Sequence, residues 1–398
     1  MTSKNVNEEN FSITWNRIQL SIIGAWPRID DKDGRISNFI SFLAAMNVLL
    51  FITLPQTAFV FEIWPDLNLI SESLSLANFP VTIGVLKLFA ICNNRQALRE
   101  LIVSIYDDWN CEKSEFNRKI MKSNANVSLI ITLYCVLGTM SAVLLFLISE
   151  VYFNLSGIYP VRQWLYLSYF PFHTTESPTY ELIILFQFTG GFCSGLIYGG
   201  IISFCGMLIL HLHGQFEILQ FTIEEFINTH EFQTLAEYRS KLKIFVIQHE
   251  HLNRFAITIE ETFNKVLLLE LLVFTAQLCL QGYLFLTIFR SRRISCFEYI
   301  FWLAFVFTIL SNLFVICFLG EKLENTSVKL QGSIQKSKWY NLTATESIDL
   351  MMLVFRTNNP LKITAGKFCS FSFETFMAII KKSFAFMSVL LTTNQNVA

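Results

Sequence analysis

The chain alternates between long apolar stretches and polar segments, and the apolar stretches are long enough to cross a bilayer. A membrane-spanning helix needs about 20 predominantly apolar residues. Seven windows of this kind lie at 37–61, 68–91, 127–148, 182–210, 266–289, 298–319 and 370–391. The second and the fifth contain Lys87 and Glu270 near an end, where a charged group can pair or reach the interface. The pattern predicts an all-α membrane protein with seven transmembrane helices.

Polar segments between the windows complete the predicted organisation. They are an N-terminal segment at 1–36, an outer loop at 149–181, inner helices at 211–265, an inner segment at 320–369 and a tail at 392–398. In both inner segments, apolar residues recur three, four or seven positions apart, which indicates amphipathic helices. The apolar faces of these helices pack within one chain or against sister subunits, and the pattern leaves both arrangements open. The aromatic, proline-containing outer loop is compatible with an ordered lid or with a plain interfacial belt.

Positive charge is divided unevenly between the two alternating sets of segments. One set carries 23 Lys and Arg residues and comprises 1–36, 92–126, 211–265 and 320–369. The other set carries 4 and comprises 62–67, 149–181 and 290–297. Because positively charged segments stay in the cytoplasm, the N-terminus is predicted to be cytoplasmic and the C-terminus extracellular. That orientation makes Asn154, in an Asn-Leu-Ser triplet of the outer loop, the predicted glycosylation site.

Composition and motifs exclude several classes of function. Hydrophobic residues make up 53% of the chain and charged residues 15%, and the net charge of −1 provides no basic excess for nucleic acid. No GxSxG, Walker, GxGxxG or HExxH motif occurs. The nearest approach to a metal site is two His-x-His triplets, whose imidazoles point about 200° apart on a helix. We therefore predict neither an enzyme nor a bound cofactor or metal.

Helix-breaking and small residues occur in three of the windows. Pro55 and Pro80 lie in the first two, and Gly191, Gly195 and Gly199 form a GxxxGxxxG pattern in the fourth. This glycine spacing lets a neighbouring helix approach closely. No symmetric repeat relates the breaks, so a transporter is only the third hypothesis for this chain.

The C-terminal part of the chain resembles a known family. SKWYNL at 337–342, followed by NPLKITAGKFCSFSFETFMAIIKKSFAFMSVLL at 359–391, resembles the signature of insect odorant receptors. FPFHTTESPTYEL at 170–182 and GEKLENTS at 320–327 support the resemblance. With seven windows and 398 residues, the resemblance extends over essentially the whole chain.

The resemblance implies a fold and a function. It implies the tuning subunit of a ligand-gated, nonselective cation channel, in a heterotetramer with the obligate odorant co-receptor, in the plasma membrane of an olfactory neuron dendrite. It further implies that a six-helix bundle at 37–319 binds a small volatile in its outer half. The segment at 320–369 would be the inner anchor, and the span at 370–391 would line the pore. No cofactor is implied.

The same resemblance assigns residues to the pore. Aligned on the AGKF motif at 365–368, Val389 falls on the hydrophobic gate position, with Thr392 and Thr393 just outside it. A hydrophobic ring gates by dewetting, so the residue type fits.

Two adjacent lysines in the last span have separate expected roles. A cation in a lone membrane helix costs about 2.5–3.5 kcal/mol, but a pore helix meets water on one face. Lys381 and Lys382 lie about 100° apart around a helix. We expect Lys381 to be structural and partly neutralised by Glu374, and Lys382 to tune conductance.

The expected ligand site lies in the outer halves of the second, third, fourth and sixth spans. An apolar lining with a few hydroxyl groups suits a small volatile. The residues expected there are Phe79, Ile83, Ser141, Leu145, Ile148, Phe188, Phe192, Tyr299 and Trp302.

A seven-helix G-protein-coupled receptor is the second hypothesis, from a different class. It requires an extracellular N-terminus, which the charge distribution does not favour. The third span ends in LISE rather than a DRY-like triplet, and the seventh contains no NPxxY.

Overall fold

The computed structural model describes residues 11–28, 34–111, 114–155, 163–172, 174, 176–229, 232–291 and 296–397. Within these ranges the chain forms helices α1 Phe11–Ile22, α2 Arg35–Glu62, α3 Leu67–Asn93, α4 Arg95–Asn110, α5 Glu115–Leu155, α6 Thr179–Thr229, α7 Leu235–Ser291, α8 Cys296–Lys336, α9 Ala344–Thr357 and α10 Phe373–Val397. A short 3₁₀ turn at Trp339–Asn341 precedes α9, and an antiparallel hairpin of β1 Thr364–Ala365 and β2 Cys369–Ser370 precedes α10.

Seven of these helices are long and apolar enough to cross a membrane, which confirms the seven predicted spans. They are α2, α3, α5, α6, α7, α8 and α10. Helices α6 and α7 contain 51 and 57 residues, so they extend over roughly 77 and 86 Å, far beyond the ~30 Å of a hydrocarbon core. Their excess length forms the amphipathic helices that the spacing of apolar residues at 211–265 indicates.

Helices α2 and α3 are each interrupted by a π-helical turn, at Leu49–Thr53 and Leu74–Asn78. Each turn is followed within two residues by a proline, Pro55 or Pro80, at the start of the next α-helical segment. Because proline has no N–H and its ring crowds the preceding turn, the backbone widens there instead of continuing as regular α-helix. The two turns pack against each other.

The N-terminal segment contains a helix that the sequence analysis did not anticipate. Helix α1 packs into the main core between α5 and α6. Its buried Asn16 donates to the Thr132 hydroxyl at 3.0 Å, and Gln19 donates to the Ser203 hydroxyl at 2.8 Å. The Ser203 hydroxyl in turn donates to the side-chain oxygen Oδ1 of Asn16 at 2.9 Å. These bonds satisfy buried polar groups and hold α1 in a defined register on the bundle.

The glycine stripe of α6 faces α5, and this pair of helices forms the largest contact in the molecule. A Cβ atom on Gly199 would lie 2.8 Å from the Cys135 carbonyl oxygen, and one on Gly195 would overlap the Met140 side chain. The two backbones therefore approach to a distance that only glycine permits, which confirms the packing role predicted from the spacing.

Candidate functional site

A cavity of about 90 Å³ lies between the helices near the end of the bundle that carries the 149–181 segment. Its walls come mainly from α3, α5, α6 and α8, with one residue from α7 and one from the outer segment. The lining comprises Leu76, Ala77, Pro80, Val81, Thr139, Ala142, Val143, Phe146, Tyr166, Ser194, Gly195, Tyr198, Gln277, Phe301, Phe305, Thr308, Ile309 and Asn312. The walls are mostly aliphatic and aromatic, with a few polar groups, as in pockets that bind small apolar ligands.

The outer segment closes this end of the cavity. The Leu165 N–H donates to the Gln187 side-chain carbonyl at 3.0 Å, and the Gln187 amide donates to Ser168 Oγ at 3.1 Å and to the Phe51 carbonyl at 3.2 Å. Tyr166 is thereby buried against the cavity, and burial raises the pKa of its phenol, which stays protonated. The described part of this segment is thus an ordered lid.

The nine residues that the sequence analysis expected around the ligand lie in spans that contribute to this cavity, but they are not on its lining, and their contact with a ligand stays a prediction. Each α5 position is one or two residues from a lining residue, and Phe79 directly precedes Pro80. Ile83 is buried elsewhere, whereas Ser141, Ile148, Phe188, Phe192 and Tyr299 are exposed and Leu145 is half-buried. The expected residues lie on a different face of each helix from the lining residues, because neighbouring positions point about 100° apart.

Of the two alternatives left open for Lys87 and Glu270, pairing or a position at the interface, the structure shows pairing. Both side chains are buried, at 3% and 0% exposure, and form a direct ion pair between α3 and α7. The ring of Tyr198 covers the ammonium group, with Lys87 Nζ 4.3 Å from the ring centroid. A charge inside a span is tolerated when its partner is a second buried charge. Because Tyr198 also lines the cavity, the ion pair lies directly beside the cavity.

Helix α10 is the most exposed of the seven spans, with 11% of its most apolar window buried inside the chain. Val389 is 61% exposed, and Lys381, Lys382, Glu374 and Thr392 are also exposed. Within the described residues, no direct ion pair joins Glu374 to Lys381, and the partial neutralisation of Lys381 across two helical turns stays a prediction.

The expected tail at 392–398 is also helical, since α10 continues to Val397. The Thr392 hydroxyl donates to the Ser388 carbonyl at 3.1 Å and so follows the turn of the helix. The side chain of Thr393 lies outside the described residues.

An aromatic cluster connects the cavity to α10. Trp302 is buried with Tyr283 and Leu284 of α7, and this cluster packs against Met387, Leu390 and Leu391 of α10. Its neighbour Phe301 contacts the same cluster and also lines the cavity. Phe301 thus connects the cavity wall to the packing between α8 and α10.

The AGKF motif forms the turn that leads into α10. Gly366 and Lys367 have φ values of 60° and 65° and lie in the three-residue loop 366–368 that joins β1 to β2, where the left-handed backbone conformation reverses the chain. The Gly366 N–H donates to the Asn264 carbonyl of α7 at 2.9 Å, and the Thr364 N–H donates to Glu260 at 2.9 Å. The hairpin thus fixes the start of α10 to α7.

The inner bundle has a buried face and an exposed face. Leu350 and Leu353 of α9 are buried within the chain, whereas the opposite face of α9 is apolar and uncovered. The exposed residues are Ile348, Met351, Met352 and Phe355, which border a groove against α7. The buried face of α9 packs within the chain, and its exposed apolar face is available to a second subunit. The structure is thus compatible with both arrangements that the sequence leaves open.

The histidine triplets do not converge on a metal. His211 contacts Asp108 at 3.0 Å, whereas His213 contacts Thr326 on α8. In the part of the chain that the structure describes, no group of three His, Cys, Asp or Glu side chains is arranged to hold an ion.

This architecture defines a seven-helix membrane protein with an apolar cavity. The family model described as 7tm Odorant receptor matches residues 68–384, which is most of the chain. "Odorant receptor 13a" of Drosophila melanogaster is 23% identical over 358 residues, which cover 84% of this chain and 82% of that protein. "Odorant receptor coreceptor" of the same organism is 23% identical over 153 residues, which cover 38% of this chain and 31% of that protein.

A solved structure has the same fold. The insect olfactory receptor OR5 from Machilis hrabei in complex with eugenol aligns with a TM-score of 0.82 at 13% identity, covering 96% of this chain and 98% of that chain. The chain belongs to the 7tm Odorant receptor family. It is therefore an odorant receptor and a multi-pass membrane protein, in a family of ligand-gated channels rather than enzymes or G-protein-coupled receptors. The family and the co-receptor similarity also support partnership with a co-receptor in general.

Proposed function

We propose that this chain is the tuning subunit of a heteromeric, odorant-gated, nonselective cation channel. A volatile binds in the cavity, and the exposed face of α10 lines a central pore with the matching helices of other subunits. The observation that carries the proposal is the combination of a buried apolar cavity with a last span whose lysines and Thr392 are uncovered. Polar side chains on a span face water or protein rather than lipid.

Assembly and orientation are part of the proposal. The subunit forms a heterotetramer with the co-receptor in the plasma membrane of a sensory dendrite, with its N-terminus in the cytoplasm and its C-terminus outside. The excess of Lys and Arg in the inner segments supports this orientation. The uncovered apolar face of α9 supports a subunit contact in the inner anchor.

Ligand binding opens the channel by enlarging the cavity. Its volume of about 90 Å³ is smaller than the ~150 Å³ apolar cavity that accommodates benzene. An odorant of that size or larger must displace lining side chains, and Phe301 transmits the displacement to the Trp302 cluster and α10. The lining residues are the ligand contacts, whereas Trp302 belongs to the transmission. Val389 is the hydrophobic gate, with Thr392, Thr393 and Lys382 beside it.

Patch recording tests the proposal most directly. Cells that express this chain with the co-receptor should give odour-evoked cation current that persists when G-protein signalling is blocked by GDP-β-S. The co-receptor alone should not respond to the same odour. Loss of the current under GDP-β-S would overturn the channel mechanism, and equal responses without this chain would overturn its tuning role.

Orientation has its own test. An epitope tag at residue 1 should stain only after cells are permeabilised, and a tag after residue 398 should stain intact cells. The opposite pattern would contradict the proposed topology.

A further inference from the structure

Two side-chain amides in the cavity wall have carbonyl oxygens with no hydrogen-bond partner. Gln277 of α7 and Asn312 of α8 are 1% and 2% exposed, and both line the cavity. Among the described residues, nothing donates to Gln277 Oε1 or Asn312 Oδ1. A buried acceptor without a donor is rare in folded proteins, because it has lost its bond to water without a replacement.

The orientation of both amides is fixed by their nitrogen atoms. Gln277 Nε2 donates to the Ser75 carbonyl at 3.1 Å, and Asn312 Nδ2 donates to the Thr308 carbonyl at 2.9 Å. Rotating either amide by 180° would place a carbonyl oxygen against a carbonyl oxygen. The unpartnered groups are therefore acceptors and not donors.

The other polar groups of the cavity add few donors. The hydroxyls of Thr139, Ser194 and Thr308 all donate to backbone carbonyls within their own helices. The hydroxyl of Tyr198 lies near the buried Glu270 carboxylate, which is an acceptor for its proton. Tyr166, at the lid, is the remaining hydroxyl on the lining and can both donate and accept. The lining residues thus carry more unpaired acceptors than donors. Both amide oxygens are buried just below the cavity surface, and a ligand reaches them when it displaces lining side chains, as the proposed enlargement of the cavity requires.

We propose that this receptor selects small volatiles that carry a hydrogen-bond donor, that is, alcohols or phenols, over ethers, ketones and hydrocarbons of the same shape. The ligand hydroxyl donates to Gln277 or Asn312, while its apolar body fills the rest of the cavity. This inference rests on the proposed ligand cavity and names the chemical class that the cavity accepts. A site built to bond a ligand hydroxyl discriminates strongly against an analogue that lacks it, because the acceptor then stays unpaired.

Isomer pairs test the donor preference at constant size. The heteromeric channel is exposed to 1-hexanol and its isomer methyl pentyl ether, and to benzyl alcohol and its isomer anisole. We expect half-maximal concentrations roughly tenfold or more lower for the alcohol in at least one pair, as satisfying a buried acceptor implies. Equal or stronger responses to the ethers would overturn the inference while leaving the channel proposal intact.

Matched variants locate the preference. The half-maximal concentrations for the alcohol and its ether isomer should become nearly equal in one of two variants, Gln277→Leu or Asn312→Leu. The affected variant is the one that removes the oxygen to which the ligand hydroxyl donates. Gln281→Leu is the control, since Gln281 lies one turn from Gln277, also donates to Ser75, has an unpartnered oxygen and does not line the cavity. The ratio of the two half-maximal concentrations is independent of expression level.

An unchanged ratio in both lining variants, or an equal loss of the ratio in Gln281→Leu, would overturn the assignment of the bonding oxygen. No odour-evoked current from a surface-expressed channel would instead overturn the proposed function.

Discussion

Helices α6 and α10 are both apolar membrane spans, yet they lie at opposite extremes of burial. In α6, 83% of the most apolar window is buried inside the chain, compared with 11% in α10. Glycines bring α6 against α5, whereas α10 contacts mainly α7 and α8 and exposes two lysines. Two spans of similar composition therefore differ in what surrounds them: α6 organises the interior of the subunit, whereas α10 presents an uncovered surface, which we propose is completed by water and other subunits.

The largest effect should come from breaking the buried ion pair beside α6. Lys87→Met leaves Glu270 charged and unpaired in the core, which costs about 3–5 kcal/mol. We expect loss of surface expression and of thermal stability in detergent, measured by fluorescence-detected size exclusion. The double variant Lys87→Met with Glu270→Leu should recover most of the loss. A double variant as unstable as the single one would show that the charge is not the cause.

A smaller stability effect should follow from the glycine stripe. Gly199→Ala places a methyl group 2.8 Å from the Cys135 carbonyl oxygen, and overpacking of this kind costs about 1–3 kcal/mol. Gly138→Ala on α5 is the matched control, because its Cβ meets no atom within 4 Å. The same thermal assay should show a lower melting temperature for Gly199→Ala only. Equal melting temperatures would contradict the close approach of α5 and α6.

In α10, a substitution should change current without changing stability. Val389→Ala removes bulk from the proposed hydrophobic gate and should raise basal current several-fold, because a wider, less apolar ring stays wet. Phe384→Ala is the control, since both side chains are 61% exposed and lie about 140° apart around the helix. Patch recording without odorant measures the leak. A leak in Phe384→Ala but not in Val389→Ala would assign the pore to the other face.

The smallest effect should come from the exposed lysines. Lys382→Ala removes a cation from the proposed conduction path and should raise single-channel cation conductance by less than about twofold, because an exposed charge is screened by salt. Lys381→Ala is the paired variant and should leave conductance unchanged. If only Lys381→Ala altered conductance, the two lysines would have the opposite roles.

Much of the fold could be predicted because its signals are local. The length of each apolar window gives the seven spans, and the glycine spacing in α6 gives its packing with α5. Helix α1 has the same kind of local signal, although it was not predicted. Ile13, Leu20 and Ile23 are seven and three positions apart, a helical spacing, and all three are buried.

The site was less predictable because it depends on distant residues. Lys87 and Glu270 are 183 positions apart, and nothing in either window identifies the other as its partner. The expected ligand residues lie in spans that contribute to the cavity, but the cavity is lined by their neighbours, such as Pro80 in place of Phe79. The contribution of Tyr166 required the lid to fold over the bundle.

The sequence by itself determined how many times the chain crosses the membrane, how closely α5 and α6 approach and which family the chain resembles. Only the tertiary structure decided which face of each helix meets the cavity, the core or the outside. The reason is physical. Lipid is as apolar as a protein interior, so a span has no need of a polar outer face, and its hydrophobic pattern does not mark the side that is buried.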